Sequence, residues 1–146
     1  MKKGMLILVA ALIASLSVAG VAYAKEFEGT GVLTAQGKGK AVVEGTGTVV
    51  VYGHGVGVLW VKGAECIEVQ GEGHRDNLGN GWIRYRSLRG KAIITGKDMK
   101  VRMVGGWIHF KAWGTGTVIL KGRGTYELKG HLGRWSVTGT VIQLGE

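Results

Sequence analysis

The residues of this chain best suited to chemistry are indoles and long cations that alternate along three short stretches. Trp82, Arg84 and Arg86 share one parity, as do Lys100 and Arg102, and then Trp107, His109, Lys111 and Trp113. Residues two apart point to the same side of a β-strand. Strands over residues 82–86, 100–104 and 107–113 therefore turn all of these side chains outward. They turn Ile83, Tyr85, Val101, Met103, Ile108, Phe110 and Ala112 inward. Guanidinium and ammonium groups neutralise phosphate, sulfate or carboxylate, and an indole stacks on sugar rings, bases or guanidinium planes. Such a face suits an anionic polysaccharide or an anionic envelope surface. The plainer use of the same residues is structural, as packed cation–π pairs.

Catalytic constellations are not found. His54, His74, His109 and His131 do not pair with one another or with the lone Cys66 at ligand spacing, so no metal site is expected. Glu65, Glu68, Glu72 and Asp76 form an acidic cluster, but nothing sets two carboxylates across a cleft as glycoside hydrolysis requires. Charge on the rim of a sheet accounts for them. The Gly-x-Gly motifs never continue to a third glycine opening a helix, and Gly37-Lys38-Gly39-Lys40 lacks the Ser or Thr of a phosphate loop. Thr46/Thr48, Thr115/Thr117 and Thr138/Thr140 could order water on a flat sheet, yet they follow no common register. No cofactor and no enzymatic activity are expected.

The elements that must position the outward residues are written in glycine. The chain has 28 glycines and no proline, and the glycines are interleaved with Val, Ile, Leu, Trp and Tyr rather than with polar low-complexity sequence. Glycine recurs every eight residues from Gly31 through Gly39, Gly47, Gly55, Gly63 and Gly71 to Gly79, and again at Gly106, Gly114, Gly122 and Gly130. Internal repetition of this kind dictates architecture. In the first block one parity is wholly apolar or glycine, with Leu33, Ala35, Ala41, Val43, Val49, Val51, Leu59 and Val61 as the inward set. In the later block the inward set is Val118, Leu120, Tyr126, Leu128 and Leu132, of the opposite parity. Paired glycines on the inside of a strand mark bends or close backbone approach.

An antiparallel β-sandwich or small barrel satisfies this pattern, and a short β-solenoid with glycine corners is the alternative. The unbroken parity of the first block favours the solenoid. Hairpin signals at Asn80-Gly81, Gly96-Lys97-Asp98 and Gly105-Gly106 favour the antiparallel form, which is the expectation adopted. Residues 76–90 are the least repetitive and should supply a loop and a connecting strand.

The run Asn77-Leu78-Gly79-Asn80-Gly81-Trp82-Ile83-Arg84-Tyr85-Arg86 and then Gly90-Lys91-Ala92 is the most individual part of the chain. With the Gly-x-Gly octads before it and Trp113-Gly114-Thr115-Gly116 after it, the chain beyond residue 24 resembles secreted glycine-repeat proteins of unassigned function from bacteria and archaea. The resemblance implies β-repeats and brings no catalytic or binding residues.

The N-terminus carries an address. Lys2 and Lys3 precede an apolar run from Met5 to Val21, and Ala22-Tyr23-Ala24 has the small-x-small pattern of a signal-peptidase site. Residues 1–24 are read as a signal peptide and residues 25–146 as a single all-β domain. The formal net charge is +9, and the chain stays basic without Lys2 and Lys3. A basic balance outside the cytoplasm suits acidic polymers or anionic surfaces. The expected role is structural or adhesive, secreted or in the cell envelope, with self-association through sheet edges as a further partner mode. The alternative is a binding module for an anionic glycan or other anionic surface, and nucleic acid is not an expected partner.

Overall fold

A computed structural model describes residues 25–145; the predicted signal sequence lies outside the described residues. The chain forms β1 (Lys25–Gly29), β2 (Leu33–His54), β3 (Val58–Gly79), β4 (Trp82–Leu128), β5 (His131–Arg134) and β6 (Thr140–Leu144). These join in one mixed sheet in the order β1-β6-β4-β2, with β3 and β5 also paired to β4, and the sheet is not closed into a barrel. All ladders between strands are antiparallel except β1 with β6. The small-barrel option falls because the sheet does not close, while the all-β expectation holds, with antiparallel ladders everywhere but between β1 and β6. The solenoid alternative does not, because successive octads of β2 are laddered to antiparallel β4 and not to one another.

The 22 residues of β2 would reach ~70 Å if straight, about twice the breadth of a domain this long. The register shows how they bend instead. Phe110 pairs with both Ala35 and Val51, and Ala112 with both Leu33 and Val49. One stretch of β4 thus lies between two octads of β2, which requires β2 to curl. Followed segment by segment, the ladders fall into two layers. The first contains β5 and residues 125–128, 33–37, 108–112, 48–51, 91–95 and 66–70. The second contains β1, β6 and residues 116–120, 40–44, 99–103, 58–62, 82–86 and 74–79. The chain crosses from layer to layer at the glycines.

At the crossings glycine faces glycine. Gly39 pairs with Gly122, and both have positive φ, 128° and 127°. A Cβ on Gly39 would collide with the Lys121 carbonyl oxygen, and one on Gly122 with that of Lys38. Two backbones touch where side chains would otherwise separate them, so the sheet can fold sharply without losing its ladder. Between crossings the inward parity fills a single core. Leu33, Phe110, Leu120, Leu128 and Val101 are fully buried, and they come from both layers.

The change of parity along the chain has a local cause. Ser87, with φ 57°, and Asp98, with φ 50°, are each extra residues in β4 relative to the partner strand, and Gly105–Gly106 adds a third. These are β-bulges, each of which flips the phase by one residue. Of the predicted hairpins only Asn80-Gly81 is one, a two-residue turn with positive φ at both positions between paired Gly79 and Trp82. Gly96-Lys97-Asp98 and Gly105-Gly106 are bulged crossings within β4. Residues 76–90 are strand on either side of that turn, with no longer loop. Lys129-Gly130 makes a second two-residue turn, which pairs His131 with Leu128 and Leu132 with outward Glu127. Leu132, expected inside, is therefore 74% exposed.

Substituting Gly122 by Ala should cost about 2–5 kcal/mol in urea unfolding, combining left-handed strain with a backbone clash. Gly106→Ala should stay within about 0.5 kcal/mol of the parent, because Gly106 has no positive φ and no atom within 4 Å of a Cβ.

Candidate binding faces

The outward residues singled out by sequence fall into two groups on different layers. Trp82, Arg84, Arg86, Lys100 and Arg102 lie on the second layer, and Trp107, His109, Lys111 and Trp113 on the first, beyond the Gly105–Gly106 crossing. Each group gains partners that alternation along one strand could not supply.

On the second layer Trp60 stands between Arg84 and Arg102 in register, and Lys62 stands between Trp82 and Lys100. Trp82 holds the cations in place: Lys62 Nζ lies 5.7 Å and Arg102 Cζ 5.3 Å from its ring centroid. Lys62 and Lys100 are directly opposed like charges, an arrangement that destabilises a sheet unless an anion relieves it. Glu44, across from Lys100 on its other side, relieves part of it. Asp76 accepts hydrogen bonds from Arg84 Nη2 at 3.0 Å, Arg84 Nε at 3.2 Å and Arg86 Nε at 3.1 Å. The hydrogen bonds from Arg84, helped by the charges of Arg86 and Arg84 and opposed by desolvation, hold the Asp76 carboxyl below its usual range.

On the first layer the indole of Trp107 stacks on His54 at 3.7 Å and 12°. His109 lies parallel to His54 at 6.4 Å and packs on Tyr52 at 4.6 Å. His54 Nε2 is buried without a hydrogen-bond partner. Burial, reinforced by the charges of His54 and Lys111, pushes the His109 imidazole below its ordinary value. Lys111 is half-buried between Thr34 and Val50, and Trp113, exposed, sits across from Thr48. An open groove with about 430 Å³ of room runs over this end of the layer, lined by Gln36, Gly37, Lys38, Gly106, Trp107, Arg123 and Gly124.

Other candidates disperse. Asp76 leaves the acidic cluster for the arginines, while Glu65, Glu68 and Glu72 are exposed along β3. No group of three or more metal-ligating side chains exists among the described residues. Cys66 is exposed and unbridged. The threonine pairs do not form an array: Thr117 Oγ1 donates to Gln143 Oε1, and Thr140 is buried with its hydroxyl on the Arg134 carbonyl.

Sequence reasoning did not enrol Trp60, Lys62, Tyr52 or His54. All four lie on the outward parity of the first block, so their direction was visible; which strand stands beside them was not. No family model matches the chain, and no curated protein and no solved structure matches it.

The lowered His109 pKa makes stability depend on pH in a stated direction. Near pH 6.5 the unfolded chain binds a proton that folded His109 refuses until lower pH, so its contribution is full above about 6.5 and is lost as pH falls toward the folded value. His109→Phe should flatten the decline in urea midpoint between about pH 7.5 and 5.5. Equal declines in parent and variant would assign the pH dependence elsewhere.

Proposed function

We propose that this chain is a non-catalytic, extracytoplasmic adhesive module that binds an anionic polysaccharide through the second-layer face of Trp60, Trp82, Lys62, Arg84, Lys100 and Arg102. The observation that carries the reading is the ladder itself. Arg84, Trp60 and Arg102 stand side by side across three segments, next to the opposed Lys62 and Lys100, so positive charge is concentrated on indoles. A cation fixed on an indole has lost side-chain freedom before a ligand arrives, which lowers the cost of binding. The basic balance and the predicted signal sequence support an acidic partner outside the cytoplasm.

Binding to dextran sulfate and to polygalacturonate, with neutral dextran as control, tests this by titration calorimetry. Saturable binding should weaken by about tenfold or more between roughly 50 and 200 mM salt, as for a ligand held through several ionic contacts. Lys100→Ala with Arg102→Ala should abolish most of it. Asp76→Asn should strengthen it, because Arg84 and Arg86 lose their internal carboxylate. Equal binding to neutral dextran, or indifference to these substitutions, would refute the reading.

A structural role has its own supporting observation. From Ala64 to Gly79, β3 is laddered only to β4 among the described residues, which leaves one edge of an exposed, proline-free strand unpaired. Unpaired edges template strand addition. Sedimentation velocity over a hundredfold concentration range should then show growing assemblies, and a constant monomer would dismiss this role.

A further inference from the structure

Gly106 belongs to the bulge at Gly105–Gly106, yet nothing there requires it to lack a side chain. Its φ lies outside the left-handed region, and a Cβ placed on it would meet no atom within 4 Å. The neighbouring glycines differ: a Cβ on Gly37 or Gly124 would strike the opposing backbone. What the bare Cα of Gly106 does accomplish is to leave open the groove beside Trp107. Gly37 and Gly124 extend the floor as half-buried main chain, with Gln36, Lys38 and Arg123 around it.

The groove has a consistent chemistry. Trp107 is 56% exposed although its ring is stacked on His54 at 3.7 Å, so it presents a large apolar platform that packing has already oriented. Lys38 and Arg123 are directly opposed in the ladder between β2 and β4, and no carboxylate lines the groove. An anionic group between them would turn a repulsive pair into an attractive one. The amide of Gln36 offers both a donor and an acceptor to hydroxyls. Flat apolar ring, two opposed cations and an amide together match a sugar that bears an acid.

We propose that this groove is a subsite for one acidic sugar residue, its ring carried on Trp107 and its carboxylate or sulfate held by Lys38 and Arg123. The inference rests on the reading of the module as a binder of anionic polysaccharide and adds to it a second site on the other layer. A single indole with one amide favours a sugar over a nucleobase, which is held best by successive aromatic platforms.

The test uses short probes too small to span both faces: trigalacturonate, a sulfated disaccharide, neutral maltotriose and a thymidine trinucleotide, each titrated into the whole protein. Trigalacturonate or the sulfated disaccharide should bind, and which of them binds distinguishes carboxylate from sulfate. Gly106→Leu, which fills the groove, should lower that affinity by at least about tenfold, as should Trp107→Ala, while the urea midpoint of Gly106→Leu stays near the parent's. Lys100→Ala with Arg102→Ala should leave short-probe binding intact while weakening long polygalacturonate. Unchanged affinity in folded Gly106→Leu would overturn the subsite, and so would tighter binding of maltotriose or of the trinucleotide. Long polymer bound without any short acidic probe would remove the subsite and leave the module standing. No binding of either would remove both.

Discussion

The contact of one glycine backbone on another governs this structure. Strands of 22 and 47 residues cannot remain flat in a domain of this size, and a sheet with side chains at every position cannot fold sharply while keeping its hydrogen-bonded ladder. Removing Cβ from both partners, as at Gly39–Gly122 and Gly47–Gly114, lets the two chains bend together. The eight-residue spacing then sets the length of each flat segment, and with it the thickness of the layers. Apolar residues between the bends meet across one core because the bends carry them there.

The same geometry decides what the outside can do. Each crossing turns the outer surface to a new direction, so residues close in sequence part company, as Arg102 and Trp107 do across Gly105–Gly106. Residues distant in sequence become neighbours, as Trp60 does with Arg84 and Arg102. The face so assembled sets Lys62 directly against Lys100, with Glu44 and Asp76 offsetting part of its positive charge. Like charges directly opposed in a ladder are destabilising. One fully buried Phe110 or Leu128 contributes about 1.5–3 kcal/mol, so the core readily supports a charged face that does not stabilise the fold.

Much of the architecture is legible in the chain, for a physical reason. Strand side chains alternate strictly, so the inward set from Leu33 to Val61 can be read directly, and every one of those residues is buried. Asn80-Gly81 is likewise readable, because only residues tolerant of positive φ close a two-residue hairpin. Ser87 is not, and Gly96-Lys97-Asp98 reads as a hairpin: residue type does not tell a bulge from a turn, and each displaced residue is recognised only by the partner it fails to oppose. Leu132 shows the same limit, since one turn at Lys129-Gly130 reassigned it to the outside.

Local chemistry along the strand therefore determined the all-β class, the glycine bends, the composition of the core and the outward direction of the tryptophans and cations. Only tertiary structure decided which strands stand side by side: Trp60 between two arginines, Asp76 against Arg84, Trp107 on His54, and Lys38 facing Arg123 over a bare glycine floor. Alternation is a property of one strand, whereas a ladder joins segments far apart in sequence, and its register is set by the bends and bulges between them.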